Sequence, residues 1–251
     1  MKRDDLGDIL DLAAPPRRIV SLVPSLTEAV ASASTGLIAG ATDYCTHPAS
    51  LDVPRVGGSK YPSVDAVLAV APDLVLANVE ENRRSDIEAI RAAGVRVWVT
   101  YPRTLDQAFA SLRRMFDAIG VAEPPWLRAA EAAWGPAPSL VARRALVPVW
   151  RRPWVVLGSD TFAGDVLRRL GVTHLYADAA DRYPRPALDE LRAAAPDLLV
   201  LPDEPYAFTA ADGPEAFPEV PYALVSGRHL TWYGPSLAEA RDVLTAQLGS
   251  R

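Results

Sequence analysis

A single cysteine, Cys45, occurs in 251 residues, so no internal disulfide can staple the chain and its redox compartment is left open. Histidine is scarce as well, at three residues, and no Cys-x-x-Cys pair accompanies them, which argues against a structural zinc site. No apolar run approaches the roughly 20 residues a membrane helix needs. The opening segment, Met1 to Asp8, has no hydrophobic leader core. On that reading the chain spans no membrane and stays in the cytoplasm. The net charge is −5 with no basic block, which speaks against a nucleic-acid partner. Catalytic signatures are missing too. Gly158-Ser159-Asp160 is not a nucleophile elbow, and Gly57-Gly58-Ser59-Lys60 lacks the phosphate-loop spacing. The expectation is a protein that is not an enzyme and requires no cofactor.

What the chain does have is an internal echo. Residues 63–77 and 187–201 align at an offset of 124 residues (189 − 65): Asp65 with Asp189, Ala69 with Ala193, Pro72 with Pro196, Asp73 with Asp197. Each copy reads as an alanine-rich helix, a Pro-Asp stop and a short apolar run. Proline excludes helical geometry from the residue before it, so the helix must end there. The run that follows suits a strand buried on both faces. A repeat this long indicates two similar halves, and ligands favour the space between such halves.

Strand–helix–strand order recurs on both sides of the echo, which predicts parallel sheets covered by helices. Strands are expected at Arg18 to Val23, Val95 to Tyr101, Ala145 to Trp150 and near Tyr222 to Ser226. Capping boxes are expected at Ser25/Glu28, Ser85/Glu88, Thr104/Gln107 and Ser236/Glu239. Residues 1–17 read as an acidic lead-in, and 41–48, 53–62 and 227–234 as loops. Gly135, Pro136 and Pro138 interrupt any single helix through the joining segment. The division predicted is 1–121 for an N-terminal lobe, 122–143 for a helical linker and 144–251 for a C-terminal lobe.

The segment Arg18-Ile-Val-Ser-Leu-Val-Pro-Ser-Leu-Thr-Glu28, the Tyr44 loop, the two Pro-Asp runs and Val155 to Gly164 together resemble the helical-backbone metal-chelate receptors. These are solute-binding proteins of ABC importers, and the similarity is strongest to those that take cobalamin. The resemblance implies an α/β fold of two Rossmann-like lobes with parallel sheets, joined by a helical linker, with a ligand cleft between them. It implies a monomer that binds a small metal chelate, a corrinoid first, and passes it to an ABC permease. Such receptors normally work in the periplasm or at the cell surface. The alternative is a cytoplasmic sensor or carrier of a corrinoid, haem or ferric siderophore on the same fold.

In that family aromatic side chains at strand ends embrace the ligand ring. Tyr44 and Tyr183 fall on such positions, Ser59, Lys60 or Tyr61 on a third, and Asn78 replaces an aromatic at a fourth. One acid per lobe docks on the permease, which implies Asp65 and Asp189; as first-turn carboxylates they also suit a helix amino end. From the residues themselves, Trp154, Trp232 and Tyr233 are the remaining aromatic candidates for the ligand, since flat guests are gripped by amphipathic rings. Arg228 and His229 sit beside them, and Arg151 and Arg152 are candidate anion donors. Cys45 and His47 pair a soft ligand with an imidazole and are candidates for a metal or the cobalt of a corrinoid. The competing reading is a buried thiol beside an ordinary loop histidine. His174, at a strand, reads as structural.

Overall fold

The structure, a computed structural model, describes residues 2–135 and 143–249. The chain divides into two compact units. One comprises Met1–Pro102, Asp106–Arg128 and Tyr233–Pro235; the other comprises Arg103–Leu105, Ala129–Trp232 and Ser236–Arg251. The first unit therefore runs past residue 121 and takes in three residues from far along the chain.

In the first unit the elements are β1 (Lys2–Arg3), β2 (Ile9–Leu10), β3 (Ile19–Ser21), α1 (Pro24–Ala33), β4 (Ile38–Ala41), α2 (Val64–Ala69), β5 (Leu74–Asn78), α3 (Arg84–Ala92) and β6 (Arg96–Thr100). Next come α4 (Leu105–Ile119) and α5 (Pro125–Ala133), which both include residues of the second unit. The second unit continues with β7 (Arg143–Leu146), β8 (Pro148–Trp150), β9 (Val155–Val156), α6 (Phe162–Arg169), β10 (Val172–His174), α7 (Leu188–Ala193), β11 (Leu198–Pro202), β12 (Tyr222–Val225), α8 (Gly227–Thr231) and α9 (Leu237–Gly249). The expected breaks at Pro136 and Pro138 lie outside the described residues.

Each unit holds one four-stranded parallel sheet, ordered β4-β3-β5-β6 in the first and β10-β7-β11-β12 in the second. In chain order both sheets run second, first, third, fourth. The duplication thus extends from a fifteen-residue stretch with six identities to a whole sheet plan. The two Pro-Asp strands, β5 and β11, lie in different sheets and are buried along their whole length.

The physical basis of the repeat is a helix stop joined to a strand clip. Ala71 and Ala195, each just before its proline, take left-handed backbones with φ of 51° and 44°. The aspartate after each proline then closes on the preceding strand. Asp73 Oδ2 accepts from the Arg17 and Arg18 amides at 2.8 and 2.9 Å, while Asp73 N donates to Arg18 O at 2.9 Å. In the second unit Asp197 Oδ2 accepts from Arg144 N at 3.1 Å, and Asp197 N donates to Arg144 O at 2.9 Å. Two orphan amides at a strand's entry are satisfied by one carboxylate, the accounting that buried backbone demands.

Several local expectations are corrected. α1 begins at Pro24, whose missing N–H suits a first helical position, and Val23 before it makes no side-chain cap. Ser25 and Glu28 are instead buried. α3 begins after Arg83, so Ser85 is already inside the helix. The Ser236 hydroxyl, buried ahead of α9, has no hydrogen-bond partner among the described residues. The predicted strand Ala145 to Trp150 splits: β7 joins the main sheet, and β8 turns into an antiparallel pair with β9. Residues 227–231, expected as loop, form α8.

The lead-in is a built part of the first unit. β1 and β2 pair as a hairpin. The buried Asp4 accepts from the amides of Leu6, Asp8 and Val99 at 2.9–3.1 Å. Asp5 accepts from Tyr101 N and Ser111 Oγ, each at 2.7 Å, and pairs with Arg114 at 2.7 Å. Two acidic residues of the lead-in are thus clamps on the β6 edge.

His174 is buried at the end of β10, and desolvation holds its imidazole below its usual pKa. Gly164 on α6 permits its approach, because a Cβ there would lie 2.8 Å from Nε2. Its structural assignment stands.

Candidate ligand-binding face

In a parallel sheet the loops after the strands share one end, and that end carries the ligand groups in open α/β folds. In the first unit the loop after β4 presents Tyr44 and the following loop presents Tyr61, 64% and 68% exposed. These are large amphipathic rings left in solvent by a chain that buries Trp98 completely.

Both tyrosines rest on a fixed base. Beneath Tyr44, Cys45 is 1% exposed, and its sulfur lies 3.0 Å from Thr27 Oγ1 and 3.2 Å from Thr42 Oγ1. Thr42 also meets Ser59 at 3.2 Å. Arg55 donates to the carbonyls of Thr42, Cys45 and Leu51 at 3.0–3.2 Å, pinning the loop from below. The Tyr44 ring lies against Gly58, where a Cβ would stand 3.4 Å from Cε2. The Arg83 guanidinium covers the Tyr61 ring at 4.5 Å and forks onto Asp86 with two bonds of 2.8 Å.

Two asparagines order the loop after β5. Asn78 Oδ1 accepts from Glu80 N and Glu81 N at 2.7 and 3.2 Å, and its Nδ2 donates to Thr100 O and the Tyr233 hydroxyl at 3.1 and 2.8 Å. Asn82 Oδ1 accepts from Asn78 N at 2.8 Å, and its Nδ2 donates to Leu22 O and Ser59 O at 3.2 and 2.8 Å. Lys60 Nζ reaches Glu80 O at 3.0 Å. The Tyr44, Lys60–Tyr61 and Val79–Glu81 loops are therefore one bonded surface.

Of three expected site residues, Cys45 and Tyr233 are buried and Trp154 is partly buried. The Cys45 thiol is enclosed, and desolvation raises its pKa, so it is a packing group bonded to threonines. It forms no pair with His47, whose Nδ1 meets Thr46 Oγ1 at 3.0 Å. Among the described residues no group of three or more His, Cys, Asp or Glu side chains could hold a metal. Tyr233, 6% exposed, turns its hydroxyl to Asn78 and Thr100, each at 2.8 Å, and burial pushes its pKa up. Its neighbour Gly234 passes so close to α1 that a Cβ would lie 3.1 Å from Ser25 O. Tyr233 is a tether within the first unit. Trp154 stacks on Phe208 at 6.2 Å, meets Phe217 edge-on at 5.7 Å, and packs on the second unit's core of Leu146, Val156, Leu199 and Leu201.

In the second unit Trp232 is 8% exposed, with the Arg228 guanidinium 5.9 Å from its ring. Arg228 also lies 3.6 Å from Glu239. His229 bridges α8 and α9, with Nδ1 2.8 Å from Ser226 Oγ and Nε2 3.1 Å from Glu239 Oε1. Tyr183 is 40% exposed, in the loop after β10. Asp65 and Asp189 occupy the first turns of α2 and α7, both in solvent; Asp189 has only a loose contact of 3.7 Å to Arg192.

The loop-ordering residues that sequence reasoning missed are Arg55 and Asn82. Arg55 and Asn82 act through backbone carbonyls, which no side-chain motif announces. Trp150 is 45% exposed at the end of β8, so the exposed tryptophan of this unit is the one not chosen.

No protein-family model matches the chain. It is 22% identical over 198 residues to the vitamin B12-binding protein of Photorhabdus laumondii, covering 76% of this chain and 72% of that one. Among solved structures it superposes on the periplasmic vitamin B12 binding protein BtuF of Vibrio cholerae with a TM-score of 0.74 and 18% identity, over 94% of this chain and 98% of that one. The apo periplasmic haem-binding protein RhuT from Roseiflexus sp. RS-1 gives a TM-score of 0.76 at 21% identity, over 93% and 98%. The fold is the two-lobed one of these receptors, as the motifs led us to expect. The expected cytoplasmic placement gains no support, since both solved structures are of periplasmic proteins. No helix among the described residues is long and apolar enough to cross a membrane.

Proposed function

We propose that this chain is a solute-binding receptor for a flat metal chelate, a corrinoid first, which it holds without altering it and delivers to an ABC permease. The observation that carries the reading is the pair Tyr44 and Tyr61, exposed at the carboxyl end of the first sheet above a base that is hydrogen-bonded throughout. Rigid rings on a fixed base suit a flat guest, because little side-chain freedom is lost on binding. On the second unit, Tyr183, 40% exposed, is the further aromatic contact we assign. The likeness to receptors named for vitamin B12 and haem supports this class of ligand.

Tyr44→Ala and Tyr61→Ala are each expected to weaken chelate binding about tenfold, the loss of one aromatic contact with its buried area. The double variant should lose about a hundredfold. Absorbance titration checks this, and a double variant within twofold of the parent would contradict the reading.

Asp65 and Asp189 are the docking acids of the proposal. Both lie in solvent with weak local partners, as groups reserved for a basic surface would. Joint reversal to arginine is expected to abolish permease binding and leave chelate affinity unchanged. A pull-down with the cognate permease measures the first, and undiminished capture would retire the docking role.

A further inference from the structure

We propose that Arg83 is the positioning residue of the Tyr61 ring, covering one face and leaving the other to a flat, π-faced guest; this rests on the receptor reading above. Every group involved belongs to the first unit. The guanidinium lies over the ring, with its Cζ 4.5 Å from the centroid. At that distance a cation is attracted to the negative face of an aromatic ring. Tyr61 is nonetheless 68% exposed, so its uncovered side stands in solvent. The neighbouring Tyr44 has a backbone support instead, its ring lying against Gly58.

Arg83 is an unfavourable residue for its place in the chain. It opens α3, with an extended backbone and no side-chain cap. Serine, threonine, aspartate and asparagine suit that position, because their oxygens accept from the first free amides. A cation there also meets the positive end of the helix dipole. The arginine therefore works against the helix it starts, and local conflicts of this kind mark functional positions. Asp86, in the first turn, takes the guanidinium through two bonds of 2.8 Å. The Asp86 side chain is 11% exposed and that of Arg83 43%, so the acid is the anchor and the guanidinium the plate it holds out. A planar fork gripped by a carboxylate is fixed in orientation as well as in place. The Tyr61 ring is thereby ordered before a guest arrives, which lowers the ordering cost of binding. What such a one-sided ring recognises is a broad π surface, a corrin or a porphyrin; a compact chelate with no flat face gains nothing from it.

The test titrates cobinamide and haemin by absorbance against the parent, Arg83→Gln, Arg83→Ser, Tyr61→Ala and the double variants. Each Arg83 substitution is expected to weaken whichever chelate binds the parent by about threefold, the share of one pre-ordered side chain. Neither should weaken it further in the Tyr61→Ala background. Arg83→Ser supplies the preferred cap at that position, so misfolding cannot imitate the result. Arg84→Gln removes the same charge from a side chain that is 91% exposed and paired with Glu88, and it should change nothing. An affinity that Arg83 substitution leaves unchanged, or a loss that persists without the Tyr61 ring, overturns the positioning role. In ligand-free protein labelled with fluorotyrosine, the fluorine resonance that Tyr61→Phe removes should move with Arg83→Gln and stay put with Arg84→Gln; a resonance indifferent to Arg83 also overturns the role. Failure of both chelates to bind would overturn the receptor reading itself, a distinguishable outcome because the fluorine signal reports on Arg83 without a ligand.

Discussion

Replacing Gly158 with alanine is expected to destabilise the second unit by about 3 kcal/mol or more. Its amide donates to Arg182 O at 2.8 Å, and the same strand continues this approach through Val156 N to Pro184 O at 3.0 Å. A Cβ at 158 would stand 2.2 Å from Asp181 O, 2.8 Å from Arg182 O and 2.7 Å from Pro184 Cδ. Two of those atoms are backbone and cannot swing aside, so the substitution sits at the severe end of overpacking. In thermal unfolding that is a fall of roughly 6–12 °C in the unit's midpoint. Gly249→Ala is the control: nothing lies within 4 Å of its added carbon, and no midpoint loss is expected. A Gly158→Ala protein with a midpoint within 1–2 °C of the parent, an effect of only ~0.5 kcal/mol, would contradict the close approach.

Asn78→Ala should be nearly as damaging, at about 2–4 kcal/mol. The side chain is 4% exposed and uses both of its ends: one satisfies Glu80 N and Glu81 N, the other Thr100 O and the Tyr233 hydroxyl. Truncation takes the Asn78 acceptor from Glu80 N and Glu81 N and one of two partners from the Tyr233 hydroxyl, which keeps Thr100 Oγ1, and from Thr100 O, which keeps Val79 N. Each polar group left unsatisfied costs about 1–3 kcal/mol where it is buried. Asn78→Asp retains the acceptor and loses the donors, placing a second oxygen against Thr100 O. It should recover only part of the loss. Denaturant unfolding of the three proteins measures this, and an alanine variant within 0.5 kcal/mol of the parent, the scatter of a neutral surface change, would mean the network bears no load. The asparagine's place here is that of a loop organiser.

The sheets were legible because their signals are local. Pro72 and Pro196 end helices wherever they lie in the fold, and uniform apolar runs mark strands buried on both faces. Of the candidate ligand rings, Tyr44, Tyr61 and Tyr183 lie in solvent. Which tryptophan of the run 150–154 lies in solvent was not legible, because it depends on where 145–150 leaves the main sheet, and composition does not encode that bend. Cys45 misled for a related reason: thiols bind metals and also pack well, and only the surrounding Thr27 and Thr42 hydroxyls decide between the two. Tyr233 lies 155 residues from its partner Asn78, beyond the reach of any periodicity. The roles of Asp4 and Asp5 were not legible, because a carboxylate's backbone partners are invisible before the chain is folded.

The most direct test of the central claim is absorbance titration of the purified chain with cobalamin, cobinamide, haemin and ferric siderophores. The account predicts a saturable, one-to-one spectral change at about micromolar concentration or below with at least one of them, at an affinity sensitive to Tyr44 and Tyr61. No spectral change with any member of the panel would contradict it.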